Sequence, residues 1–586
     1  MNWRLHIGQA AQAGLFLLSF LFYTAFVTDA LFLIGVQVNC LIVPAALILA
    51  TLTVTFLSNN RKRALVTSLL CLFFVAMGAA AMSMIYDPTA DSMGYHYDMV
   101  VMMADGWNPF TANPPNGSLW AKHYAKLLET TGAAVLAFTG NLQSVKCINL
   151  VFVGAALAVM WHALTIALPR VSKKWRIMLV IMAACNPVLI AQSFSAYNDY
   201  CIWIETVLLV STFMLLCHDE SDTFAYIVLF MTVAIGANTK FTHFFYLGLE
   251  CLFFAGWCLY FKRYRLFKSG FLAVISGVII GVFVMGYNPY VLNTINYANP
   301  VYPLGSDAVD IMTGNTPAIF HEGNRLTNFA KSLMSAEKCP WGVVTGDMTL
   351  LSASRSYSND ARVNGFGIFM LPMLIIGLVL MIINRPAVRW WVLYLSIFAM
   401  CLCFEQSWWA RYIPVLWLAL LLPVVISLTG RRCRSTANRV LRVCVFVLCC
   451  INGTFSLGAT AASRLGYTRY IDYVFTTQKS LGKPIHVVNI RHAMRQQFRE
   501  RGVEIIEHKN LSEISDCDEL FRIFSFTFFD SYMLLPEKDY PLIYRTPRTL
   551  LDRWARYDRR RYTTEPQDIK SVSYTHLRAH ETVLDL

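Results

Sequence analysis

Between Tyr86 and Asp98 the chain reads Tyr86-Asp87-Pro88-Thr89-Ala90-Asp91-Ser92-Met93-Gly94-Tyr95-His96-Tyr97-Asp98, with acids, a histidine and tyrosines directly after a long apolar run. A carboxylate at such a place can take the proton of a reacting hydroxyl. A Gly-Trp-Asn-Pro-Phe turn follows at Gly106–Phe110. Beyond it, Trp120, Tyr124, Leu127 and Leu128 fall on one helical face and Lys122, His123, Lys126 and Glu129 on others. That spacing predicts an amphipathic helix lying along a membrane interface. A carboxylate beside an interfacial platform suits an enzyme whose substrate has a lipid tail and a polar head. The ordinary roles of these residues are simpler: Asp87 capping a helix or turn, Asp91 and Asp98 solvated or structural, His96 a hydrogen-bonded structural histidine. His96 is also open to orienting the acid or holding a metal.

Composition places this segment among membrane helices. Of 586 residues, 56% are hydrophobic and only 15% charged, against about 25% charged in an ordinary soluble domain. Runs such as Gly14–Thr28, Ala64–Ala81 and Phe271–Met285 approach the ~20 residues that cross a hydrocarbon core. The net charge of +13 is spread over short basic clusters between apolar segments, which argues against nucleic acid as a partner. The clusters Arg61–Arg63, Arg170–Arg176, Lys262–Lys268, Arg385 with Arg389, and Arg431–Arg439 read as positive-inside signals. The cysteines lie mostly in apolar segments as small hydrophobes. Cys339 and Cys517 fall in predicted outer regions and could pair with one another.

With every basic cluster inside, the chain follows a path of about thirteen spans. The helices run near Gly14–Gly35, Val38–Leu57, Ala64–Ile85, Lys146–Ala167, Ile177–Phe194, Tyr200–Leu216, Thr223–Asn238, His243–Phe261, Gly270–Tyr287, Phe366–Ile383, Trp390–Phe404, Ile413–Leu428 and Val440–Ala461. Outer loops cover about 86–145 and 288–364, and the N-terminus is cytoplasmic. The expected fold is an all-α polytopic membrane domain over 1–462. A small extracytoplasmic α/β domain over 463–570 follows, read from a strand at Pro484–Asn489, a helix at Arg491–Arg501 capped by Gly502, and a strand at Val503–Ile506. Residues 571–586 read as a tail foreign to the rest.

An Asp four residues before a Tyr after an early helix, followed by a GWNP-like turn, resembles the C-fold (GT-C) family of membrane glycosyltransferases. That family includes the protein O-mannosyltransferases and the bacterial lipid A aminoarabinose transferases. The resemblance runs from about Tyr86 to Leu428, with two extra helices ahead of the family's first. It implies an inverting transfer of sugar from a polyprenyl phosphate carrier to an extracytoplasmic lipid, glycan or protein acceptor in a bacterial plasma membrane. Asp91 matches the family's catalytic base, Tyr95 stands at the matching spacing, and Asp199 in Tyr197-Asn198-Asp199-Tyr200 matches a second acid. Ser92 replaces the Glu that commonly follows the first Asp, a departure that counts against any role needing the second acid, such as holding a divalent metal. A departing polyprenyl phosphate gathers negative charge that a fixed cation stabilises. Lys240 and Arg411 are the candidates, and Arg suits forked phosphate contacts. Their ordinary alternative is interfacial anchoring.

Two other readings compete. A surface-polysaccharide polymerase or ligase would use arginines of the second loop, here Arg325, Arg355 and Arg362. A transporter would use ionisable residues near the bilayer midplane, such as Glu205 and Glu250.

Overall fold

The computed structural model describes residues 7–87, 89, 91–305, 320, 323–334, 366–367, 369–482, 484–488, 490–508 and 532–534. Arg355, Arg362, Cys339, Cys517 and the 571–586 tail lie outside them. Seven described helices are long and apolar enough to cross a membrane: Gln9–Leu33, Arg61–Ser83, Leu142–Ala167, Cys201–His218, Phe241–Tyr260, Tyr264–Val284 and Thr436–Arg469. Shorter apolar helices accompany them at Ile42–Leu57, Leu127–Thr139, Thr223–Ala237, Met370–Asn384, Val388–Leu402 and Pro414–Thr429. The chain is an all-α membrane protein in its bulk.

Gln9–Leu33 is interior, with 72% of its most apolar window buried, whereas Tyr264–Val284 is 17% buried and turns its apolar side outward. Leu69, Phe73 and Leu272 are each more than half exposed, a surface that water does not tolerate at this extent. Small residues let helices approach closely. A Cβ at Gly277 would lie 2.8 Å from the Phe230 carbonyl, and one at Gly281 2.7 Å from that of Ala234. Polar stitches do the rest: Gln12 donates to Ser58 at 2.9 Å and accepts from Thr67 at 3.2 Å, bonds that substitute for water inside lipid.

The structure corrects several expectations. The predicted helix Ile177–Phe194 breaks into Lys173–Ala184 and Pro187–Gln192. Pro187 disfavours helical backbone at Asn186, which turns extended and caps the second piece by accepting from the Val188 amide. The predicted interfacial helix around Trp120–Glu129 is also absent. Leu119–His123 is one short turn, Tyr124 is extended, and Leu127–Thr139 is a buried apolar helix. Of the polar side chains assigned to its wet faces, His123, Lys126 and Glu129 are buried instead. His123 bonds Asn293 at 2.8 Å and Lys126 donates to Asn288 at 2.7 Å.

The last membrane helix was expected to end near Ala461. It continues unbroken from Thr436 to Leu481, 46 residues, or roughly 69 Å at 1.5 Å per residue. Gly482, at φ 63°, ends it in a left-handed cap. Then comes a β-α-β run: β1 (Ile485–Val488), helix His492–Arg501, and β2 (Ile505–His508). β1 and β2 are parallel with Ile485 opposite Ile505, and β3 (Tyr532–Leu534) joins β1 antiparallel, giving the order β2-β1-β3.

Helix His492–Arg501 packs directly on the segment around Asp91. Arg491 donates to the Gly94 carbonyl at 2.6 Å and the Ala493 amide donates to Asp98 at 2.8 Å. Glu500 accepts from the Leu142 amide at 2.7 Å, and Arg501 reaches the Tyr86 hydroxyl at 2.8 Å. Asp98 is therefore a buried tie between two parts of the chain rather than a solvated loop acid.

Candidate functional site

Four side chains named from separate stretches of sequence meet at one end of the bundle. Arg411 lies in a tight turn, Ala410–Tyr412, which ends just before Pro414 opens the next helical turn. One guanidinium nitrogen donates to Asp91 at 3.0 Å. Its Nε stands 3.2 Å from Asp199 as an ion pair without hydrogen-bond alignment. Lys240, the extended residue that opens helix Phe241–Tyr260, donates to the other Asp199 oxygen at 2.6 Å. The site is thus a string, Asp91–Arg411–Asp199–Lys240.

Aromatic rings wall the cations in. Arg411 lies 4.8 Å from the Trp409 ring centre, 5.2 Å from Tyr197 and 5.5 Å from Tyr412. The Lys240 ammonium is 5.5 Å from the centre of Tyr412. Such faces attract a desolvated cation and restrict how far the guanidinium can turn. The ordinary anchoring role weighed for Arg411 and Lys240 does not describe these surroundings, because both are mostly buried and each is paired to an acid.

Asp199 is the inner acid and Asp91 the outer one, with side-chain exposures of 1% and 20%. Burial alone would raise the Asp199 carboxyl, but Arg411 and Lys240 more than reverse this and hold it well below the usual carboxylate range. Gln192 adds a bond to Asp199 at 3.2 Å and accepts from the Tyr200 amide at 2.8 Å, so it fixes both the acid and its backbone. Tyr95 sits nearby. Burial pushes its hydroxyl up, with Asp91 adding to the rise and Arg411 opposing it, so it stays a proton donor.

His96 belongs to another pair. Its Nδ1 bonds the Glu129 carboxylate, and its ring lies 4.2 Å from that of Tyr95 and 6.3 Å from that of Tyr197. Glu129 was read as a wet-face residue of a surface helix, and nothing in the spacing pointed to His96 as its partner. A third group of residues ties the two acid-bearing loops together. Asp87 accepts from the Thr89 amide at 3.0 Å and the Ala196 amide at 3.0 Å, and faces the buried Arg464 at 3.0 Å. One carboxylate therefore sets the spacing between the Asp91 segment and the Tyr197–Asp199 segment. The expectation that Asp87 caps a turn covers its Thr89 bond and misses the rest.

For a metal, the described residues offer no group of three or more His, Cys, Asp or Glu side chains. Glu205 and Glu250 are buried inside the bundle, the first with His243 at 3.1 Å, the second accepting from Thr206 at 2.7 Å. Arg325 donates to the Leu402 carbonyl at 2.9 Å.

What the arrangement can do follows from its charges. It holds a carboxylate at the more open edge, two cations behind it, and a second carboxylate that keeps those cations in place. That set suits proton removal at Asp91 and stabilisation of a departing anion between Arg411 and Lys240. Comparisons with protein-family models, with curated proteins and with solved structures find nothing that matches this chain.

Proposed function

We propose that this protein is an inverting glycosyltransferase of the C-fold kind, moving one sugar from a polyprenyl phosphate carrier to an extracytoplasmic acceptor. The observation that carries the proposal is the convergence of Asp91, Asp199, Lys240 and Arg411, drawn from positions far apart in sequence, into one ion-paired string. In the reaction the acceptor oxygen bonds the anomeric carbon as the bond from that carbon to the phosphate oxygen breaks. The electron pair leaves with the phosphate, and the acceptor proton passes to Asp91. Direct displacement inverts the anomeric centre. Lys240 and Arg411 stabilise the charge that gathers on the leaving phosphate, while Asp199 and Gln192 hold the cations in register.

The basic clusters support a cytoplasmic N-terminus with the site on the opposite face, and the resemblance to bacterial C-fold enzymes is what suggests a bacterial plasma membrane. On this reading the β-α-β unit belongs to an extracytoplasmic domain, where it braces the base-bearing segment through Arg491 and Ala493. The test is direct: purified protein in vesicles containing a polyprenyl phosphate sugar, with cell-envelope glycolipid as acceptor. Release of polyprenyl phosphate matched by sugar on the acceptor supports transfer. Acceptor modification that survives Lys240→Met and Arg411→Gln together contradicts the assigned roles.

A further inference from the structure

The string raises a difficulty for its own chemistry. A base at work must give its carboxylate to the acceptor's proton, yet Asp91 is paired through Oδ2 with the Arg411 guanidinium at 3.0 Å. The cation meant for the donor phosphate is likewise engaged, by Asp91 and by Asp199. Counting formal charges, Arg411 and Lys240 are balanced by Asp91 and Asp199. A phosphate entering this neutral set meets a net cation only where one carboxylate gives way.

The geometry decides which one. Asp199 is buried, held by Lys240 at 2.6 Å, faced by Arg411 at 3.2 Å and bonded by Gln192 at 3.2 Å. Releasing it would leave a buried carboxylate with neither its cations nor water around it. Asp91 is 20% exposed on the outer edge, where it joins the string through Arg411. Water can solvate Asp91 when it lets go. The rings of Trp409, Tyr197 and Tyr412 meanwhile keep the guanidinium where it is, so the exchange is one of partners rather than of place.

We infer that Arg411 passes from Asp91 to the donor phosphate when substrate binds, so that donor binding itself releases Asp91 from Arg411 to act as base. This rests on the proposed transferase reading and adds an order to it: donor first, base armed second, acceptor deprotonated last. Once Asp91 has left, Arg411, Lys240 and Asp199 carry one net positive charge, which matches the single negative charge of a sugar phosphodiester. During transfer the acceptor O–C bond forms and the C–O bond to phosphate breaks. The proton then moves onto the released Asp91 carboxylate, so charge and atoms balance.

The test measures binding of undecaprenyl phosphate to the full chain in nanodiscs, with undecaprenol as the uncharged control. Removing the competing carboxylate should strengthen phosphate binding. Asp91→Asn and Asp91→Ala, each checked for monodisperse elution, should bind undecaprenyl phosphate at least about fivefold tighter than wild type, the low end of usual site-to-site coupling. Adding Arg411→Gln to either should abolish the gain. Equal or weaker binding by both Asp91 variants overturns the exchange while leaving the carrier assignment standing. If wild type and both variants bind the phosphate no better than undecaprenol, the carrier assignment fails and the exchange falls with it.

Discussion

Replacing Asp199 by asparagine should expose how the string is held together. The gross attraction from Lys240 at 2.6 Å is about 6 kcal/mol at an effective dielectric of about 20. From Arg411 at 3.2 Å it is about 5 kcal/mol on the same scale. Desolvation of all three groups offsets most of this, yet removing the shared anion leaves two cations buried without it. Breaking a buried pair from one side costs ~3–5 kcal/mol, and that is the loss expected for Asp199→Asn. Lys240→Met should cost less, because Asp199 keeps Arg411 and Gln192. The double variant should then be less destabilised than the sum of the singles by about 2 kcal/mol, since the orphaned ammonium has gone. Unfolding in mixed micelles, followed by tryptophan fluorescence, gives all three values. Additivity within about 0.5 kcal/mol would show that Asp199 and Lys240 are not energetically coupled and would refute the reasoning.

Other expectations follow from the same contacts. Asp87→Asn should destabilise more than Arg464→Met, because the first strands a guanidinium that is 2% exposed while the second leaves Asp87 its amide bonds. The same micelle unfolding should show a gap of at least about 1 kcal/mol, and the reverse order would contradict the hub role of Asp87. The Asp199 carboxyl is held below its ordinary value, so its contribution to stability is fully present above about pH 4 and is lost as pH falls through the folded value. The melting gap between wild type and Asp199→Asn should stay constant from pH 7 to about 5 and shrink below about 4. A gap that widens on acidification would reverse the sign of the argument.

The sequence made the members of the string legible and hid the residues that support them. Asp91, Asp199, Lys240 and Arg411 stand at helix ends beside aromatic and Asn-Pro motifs, where a polar residue is conspicuous against apolar runs. Gln192, Glu129 and Arg464 were not conspicuous. Gln192 lay in what read as one apolar helix, and only the break at Pro187 turns it toward Asp199. Arg464 pairs with Asp87 across more than half of the chain, and periodicity carries no information on such partners. The failed amphipathic helix has a physical cause as well. Face assignment treats Lys126, His123 and Glu129 as wet, whereas each finds a buried partner in Asn288, Asn293 or His96. The β-α-β pattern, by contrast, was readable because its helix is strongly basic, is closed by Gly502, and lies between two short β-branched runs.

The most direct test of the central claim is mass spectrometry of surface glycolipids and glycans from a deletion strain. It would be complemented either with wild type or with Asp91→Asn, a change that keeps the size of the side chain and removes the base. The account predicts that one sugar is missing from the deletion strain, returns with wild type, and stays missing with Asp91→Asn despite normal membrane levels of the variant. Full restoration of that sugar by Asp91→Asn would contradict it.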